Sequence, residues 1–395
     1  MSKNCAVAHN LDAHKNMKKC AWVVYDGIDN SVFYSQVFVP IMRRLQADPE
    51  LHVTLITFES KPPRKETVAM LKNSERLSLT MLRRWPFVGQ WSLRPAQASL
   101  MIELAGDEWH EVWARGPFAG WLVCAAGDAL VTSKLWIAGN EPTVTIQARG
   151  LAAEEYRMTM AYTPWISWQK LVWRLRYQHI KNLEHSTYQK GRGTIRPHIE
   201  SVTVALQNYL ITKFDAAEHM FSIAEFDKPE TVEVKKRLMW RSMIRMKLNI
   251  PDEAKVYCYS GSAKAWQGVE RTLRYFEQCA KTELGSYFLI LSGEPEIFRA
   301  KVVQFNLSPA RLIIMNVKPA ELMQYLCAAD VGVLLRDFDP VNWVSRPTKV
   351  LEYLAAGLTV VHNGTVKWID EVLNAQSGEI DVVSKQIQRG RYENY

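Results

Sequence analysis

Short apolar runs closed by polar or glycine-containing breaks alternate along this chain with longer stretches whose apolar residues recur at helical spacing. Residues 21–25 form such a run and end in Asp26-Gly27; residues 31–45 have helical spacing, and residues 52–58 are again apolar. That order predicts a strand, helix, strand unit, and it continues through a strand at 111–114, a helix at 118–129 and a strand at 143–147. The second half repeats the pattern more regularly. Strands are predicted at Val256–Ser260, Tyr287–Leu291, Leu312–Met315, 331–335 and 359–361, with helices at 267–282, 295–305, 319–328 and 348–356 between them. Regular alternation of this kind is the signature of parallel sheets covered by helices on both faces. The expected architecture is two Rossmann-like, doubly wound α/β domains facing a cleft, with a disordered tail over 1–19, one domain over 20–200 and the other over 201–395.

Residues 162–192 break the alternation. Trp165, Ile166, Trp168, Leu171, Val172 and Trp173 are interleaved there with Lys170, Arg174, Arg176, Lys181 and Lys190. Aromatic rings beside cations suit the head-group layer of an anionic bilayer. The same periodicity suits an amphipathic helix with its apolar stripe in a core and its basic face in water. Both readings stand on the sequence.

A chain of 395 residues is longer than a single core supports, which agrees with two domains. The formal charge of +8 favours anionic partners such as nucleotide phosphates, nucleic acid or acidic lipid. Nucleic acid is not expected, because no recognised binding motif accompanies the charge. The six cysteines show neither CxxC pairs nor zinc-finger spacing, so a disulfide framework and a metal site are both unexpected. The polar first twenty residues lack a signal-peptide core, and no apolar stretch reaches spanning length. A cytoplasmic protein is expected, with any membrane contact peripheral and at the inner face.

The densest chemistry lies at 331–364, where an apolar run is followed by Arg336-Asp337-Phe338-Asp339-Pro340 and then by a helical stretch. In open α/β sheets ligands bind beyond the carboxyl ends of strands, and a helix that begins there presents backbone N–H groups to phosphate. In this reading Ser345 caps that helix, Pro347 sits in its first turn, and Arg346 or Lys349 adds a cation. Glu352 follows Lys349 by one turn and accepts from ribose hydroxyls; the plain alternative is a surface Lys/Glu pair on an ordinary capped helix.

The stretch Ser345-Arg346-Pro347-Thr348-Lys349-Val350-Leu351-Glu352-Tyr353-Leu354-Ala355-Ala356-Gly357 resembles the donor-site motif of retaining glycosyltransferases of the GT-B fold, in the group 1 or family 4-like class. Val256–Ser260 with Gly261, Ser262 and Lys264 is similar to the strand and glycine loop that open the donor domain of those enzymes. The segment ending in Asn316-Val317 falls where they hold the nucleobase. The resemblance implies transfer, with retention, of a sugar from a nucleoside diphosphate sugar to a glycan or lipid-linked acceptor, in cell-surface polysaccharide or glycolipid synthesis. It implies Lys349 and Glu352 as catalytic residues. Donor binding would fall to Gly261, Ser262, Lys264, Val317, Arg336, Asn342 and Ser345, and the acceptor side to Arg115, Arg149 and Glu154 at presumed strand ends. No cofactor beyond the nucleotide sugar and no metal is implied.

The chain departs from the pattern in two places. Ser262 and Gln267 stand where many members carry an Arg and a Lys that grip the diphosphate, so Lys264, Arg336 or Lys349 has to supply the cation. Val344 replaces the first glutamate of the usual pair, leaving Asn342 as its substitute. These losses motivate an alternative, a non-catalytic GT-B protein that binds nucleotide or serves as scaffold for another enzyme. Asp337-Phe338-Asp339 matches the Asp-x-Asp pattern that holds metal in a different glycosyltransferase fold, and is read as coincidental because the GT-B donor site does not usually build an oxygen-rich shell.

Overall fold

The computed structural model describes residues 17–30, 32–160, 168–189, 193–226 and 228–376. Contacts divide the chain into two units, Met1–Ala224 and Glu225–Tyr395. In the first, strands β1 (Lys18–Val24), β2 (Leu51–Glu59), β3 (Leu77–Arg83), β4 (Glu111–Arg115), β5 (Thr143–Ala148), β6 (His198–Ser201) and β7 (Phe221–Ile223) form one sheet of order β3-β2-β1-β4-β5-β6-β7. In the second, β8 (Val256–Ser260), β9 (Tyr287–Leu291), β10 (Leu312–Met315), β11 (Val331–Leu334) and β12 (Thr359–His362) take the order β10-β9-β8-β11-β12. Every strand pair in both sheets is parallel.

The central strands are continuous apolar runs because both of their faces are covered. All five residues of β8 are buried, and so are the last five of β1. The covering helices bury one stripe each. Helix Val269–Thr282 turns Val269, Thr272, Leu273, Phe276 and Cys279 inward, a spacing of three and four residues.

Three sequence expectations are corrected here. β1 starts at Lys18, inside the stretch expected as tail, because the Lys18 N–H is taken by the Glu50 carbonyl at 3.0 Å and Lys18 pairs with Leu51. The units part at 224/225 rather than 200/201, since β6 and β7 extend the first sheet beyond β5. β3 adds an edge strand that the predicted alternation does not include, although Leu77, Leu79 and Met81 alternate with Ser78 and Thr80 as in a half-buried strand.

Of the basic aromatic segment, helix Gln169–Tyr188 is described, while Trp165, Ile166 and Lys190 lie outside the described residues. The two halves of the helix differ in burial. Its carboxyl half packs inward through Ile180, Leu183, Thr187 and Tyr188. Its amino half leaves Trp168, Leu171, Val172 and Leu175 exposed, Trp168 at 77%. No helix among the described residues is long and apolar enough to cross a membrane.

Candidate functional site

The second sheet reverses direction between β8 and β11, which pair through Tyr257 and Val331. Ligands of open α/β sheets bind outside the carboxyl ends of strands at such a reversal. β8 runs there into Gly261, whose φ of 142° is costly for any side chain, and β11 runs into Leu335-Arg336. The two loops touch backbone to backbone: a Cβ on Gly268 would lie 2.1 Å from the Leu335 carbonyl oxygen.

Helix Lys349–Ala355 is fastened over these strands by Tyr353. The buried ring lies flat against Gly332, where a Cβ would come within 2.4 Å of it, and its hydroxyl accepts the Ser260 N–H at 2.8 Å. That register directs Lys349 at the loop after β8. Its Nζ stands 4.4 Å over the Tyr259 ring, donates to Gln267 Oε1 at 3.1 Å, and lies 2.4 Å from where a Gly261 Cβ would sit. An alanine at 261 would therefore displace the ammonium.

Arg336 provides a second cation. Only 3% exposed, its Nη1 donates to the Trp266 carbonyl at 2.7 Å and to Asn342 Oδ1 at 3.1 Å. Asn342 is fully buried and returns Nδ2 to the Asp337 carbonyl at 2.9 Å, so it buttresses Arg336. Burial, followed by the neighbouring Arg336 charge, holds the Lys349 ammonium well below the usual lysine range, against the opposing pull of Glu352. Burial raises the Glu352 carboxyl, and the Lys349 charge opposes that shift. The site thus gathers two desolvated cations and one half-buried carboxylate, an arrangement short of negative charge.

The other predicted residues make the following contacts. Ser345 does not cap the following helix, which starts at Lys349; its hydroxyl donates to the Asn342 carbonyl at 2.8 Å and closes the short turn Pro340–Trp343. Lys264 is exposed, with its ammonium 5.2 Å over the Trp266 ring. Arg346 stands over Phe226 at 4.9 Å. Ser262 lends its carbonyl to the Tyr259 hydroxyl at 2.8 Å, and Val317 packs on the edge of the core. Asp337 binds Arg271 at 2.7 Å, and Asp339 caps the Val341 N–H at 3.0 Å. Sequence reasoning passed over Glu294, which fixes the glycine loop by accepting the Ala263 N–H at 2.7 Å; its place right after Gly293 at the end of β9 was the available signal.

In the first unit, Arg115 ends β4 and Arg149 follows β5. Glu154 is turned elsewhere: one oxygen accepts Arg157 Nε at 2.6 Å and the other the Tyr177 hydroxyl at 2.8 Å. A carboxylate the sequence did not flag, Glu184, is 1% exposed and caps helix Ala152–Thr159 by accepting the N–H groups of Ala152 and Ala153 at 2.5 and 3.0 Å.

No protein-family model matches the chain, and no curated protein matches it in sequence. Solved structures do resemble it. WaaG, a glycosyltransferase involved in lipopolysaccharide biosynthesis, superposes with a TM-score of 0.60 at 14% identity, over 91% of this chain and 85% of that one. A glycosyltransferase from Rickettsia africae gives 0.58 at 10% identity, over 90% and 82%. The lipopolysaccharide outer core galactosyltransferase WaaB gives 0.57 at 10%, over 88% and 81%. At such identities the likeness speaks for the fold, and the fold is GT-B: two Rossmann-like units, each a parallel sheet wound on both faces.

Proposed function

We propose that this chain is a retaining glycosyltransferase that moves a hexosyl-type group from a nucleoside diphosphate sugar to a glycan or lipid-linked acceptor, in the synthesis of a cell-surface polysaccharide or glycolipid. The observation that carries the reading is the Lys349 ammonium lying against Gly261 with Arg336 buried nearby. Two cations freed from water at the switch point of a parallel sheet match a diphosphate in charge and in place. The structural neighbours named for lipopolysaccharide synthesis support the same class.

In the proposed reaction the acceptor hydroxyl oxygen bonds to the anomeric carbon as the bond from that carbon to the β-phosphate oxygen breaks. The electron pair leaves with the diphosphate, whose oxygen takes the hydroxyl proton. Lys349 neutralises the departing diphosphate, Arg336 adds a fixed charge, and Glu352 positions the ribose. No metal is needed, because side-chain cations supply the charge. The exposed Trp168, Leu171 and Leu175, with Lys170 and Arg174 on the same helix, suit an anionic membrane at the cytoplasmic face, where a lipid-linked acceptor resides. Changing the three apolar residues to Ser is expected to abolish flotation with anionic liposomes; undiminished flotation would remove the membrane from the proposal.

The direct test is a panel of radiolabelled nucleotide sugars incubated with membrane and glycan extracts. Label is expected in the extract with the wild type and not with Lys349→Ala or Glu352→Ala. Full rates in both variants would sink the site assignment. The second reading, a nucleotide-binding scaffold without turnover, is motivated by Ser262 and Gln267 in place of the usual Arg and Lys. Calorimetry separates the two: tight nucleoside diphosphate binding with no transfer on any extract would favour the scaffold.

A further inference from the structure

We propose that the first unit has an oxyanion site of its own, in which Arg115 and Arg149 bind a phosphoryl group carried by the second substrate. Its assignment to a second substrate rests on the transferase reading; the site itself does not.

The first sheet also reverses direction, between β1 and β4, and Arg115 stands at the carboxyl edge of that reversal, in register with Val24 of β1 and Gln147 of β5. Arg149 lies two residues beyond Gln147 on the adjoining loop. The switch-point rule that locates the pocket in the second unit therefore selects this edge as well. The space is open: Gly116, directly after Arg115, has φ 74°, and a Cβ placed there would meet nothing within 4 Å.

The two guanidiniums are under-compensated. Arg115 is held by Gln36, through its side-chain oxygen and, at 3.4 Å, its carbonyl, both neutral. Arg149 Nη2 is 3.7 Å from Glu200, and the same carboxylate oxygen accepts Gln147 Nε2 at 3.0 Å. Among the described residues, neither guanidinium is hydrogen-bonded to a carboxylate. Arg149 Nε and Gln147 Oε1 are buried with no hydrogen-bond partner. Leaving a buried polar atom unmatched is unfavourable, so the pair is poorly explained as scaffolding. Asp26 and Glu155 are the other carboxylates that act on Arg115, and Asp26 already faces Arg84 at 3.9 Å. Burial and then the Arg149 charge bring Arg115 down to about 10. Two forked cations match the near-dianionic charge of a phosphomonoester better than a single carboxylate.

The test uses the full chain carrying Lys349→Met, which weakens the pocket of the second unit. Phosphorus NMR line broadening follows binding of inorganic phosphate, and adding Arg149→Gln or Arg115→Gln is expected to weaken it about tenfold or more, the effect of one charge-assisted contact. Arg149→Lys, which keeps the charge, should retain most of the binding. Competition by hexose 6-phosphate would assign the site to a soluble phosphorylated glycan; competition by polyprenyl phosphate in neutral phosphatidylcholine vesicles would assign it to a lipid-linked one. Phosphate binding unchanged by both Arg→Gln substitutions, in variants whose melting shows them folded, overturns the proposal. Failure of the transferase reading shows differently, as nucleoside diphosphate affinity unaffected by Lys349→Met.

Discussion

Replacing Lys349 by methionine keeps the length and apolar stem of the side chain and removes its charge, and the structure predicts opposite effects on stability and on binding. The ammonium has one hydrogen bond, to Gln267 Oε1 at 3.1 Å, and a ring face 4.4 Å away, while the buried Arg336 repels it. Desolvating a cation with so little compensation is unfavourable, so Lys349→Met should raise unfolding free energy at neutral pH on the order of 1 kcal/mol. It should weaken nucleoside diphosphate binding by about 1.5–3 kcal/mol, the worth of a charged hydrogen bond, or roughly 10- to 150-fold. The pH dependence supplies an independent check. The folded protein holds the Lys349 proton less tightly than the unfolded chain, so between that depressed pKa and 10.5 the unfolded state binds more protons. Stability conferred by deprotonation therefore grows as pH rises through this window, by at most about 1.4 kcal/mol per pH unit, and the increment should vanish in the variant. Urea titrations of both proteins from neutral to alkaline pH, with calorimetry on the same samples, measure all three quantities. A variant that loses stability as well as affinity, with an unaltered pH slope, would show Lys349 to be a structural residue and refute the reasoning.

Glu184 gives the reverse slope. Burial pushes its carboxyl up to about 8 from an unfolded value of 4.5, so the folded state holds the proton more tightly and stability is lost as pH rises between those values. Glu184→Gln should flatten that loss in denaturant titrations at acidic and mildly alkaline pH; an unchanged difference would mean the carboxylate is ionised throughout. Gly332→Ala forces a methyl to within 2.4 Å of the buried Tyr353 ring and should cost about 1–3 kcal/mol of unfolding free energy, whereas a neutral result would mean the helix above β11 shifts freely. Chelation with EDTA should leave sugar transfer intact. Asp337→Asn, which breaks an exposed pair with Arg271, should lower stability by less than about 1 kcal/mol; a chelator-sensitive activity lost in this variant would restore the Asp-x-Asp reading.

The fold was legible largely because both faces of the central strands are buried. Val256–Ser260 and Tyr287–Leu291 stand in the structure with the limits their apolar runs predict, and the edge strand Leu312–Met315, half-buried throughout, does so through its four apolar residues alone. Other peripheral elements were less legible. β3 buries only Leu77 fully, and helix Val234–Lys247 buries only Ile244 and Arg245 completely, so a core fixes little of either. The domain boundary was misplaced for a related reason: β6 and β7 are four and three residues long, too short for periodicity to attach them to a sheet begun far upstream.

Two parallel α/β units and the loops where their chemistry gathers follow from the pattern of residues alone, because strand burial and chain order set where carboxyl ends fall. Which side chain reaches into each loop depends instead on packing between distant elements. Lys349, rather than Lys264 or Arg336, lies against Gly261 because the Tyr353 hydroxyl joins its helix to Ser260, a residue 93 positions earlier. Glu154 leaves the strand ends because Tyr177 and Arg157 claim it, and Ser345 closes one turn instead of opening the next. Long polar side chains take their direction from partners remote in sequence, and local pattern holds no record of those partners.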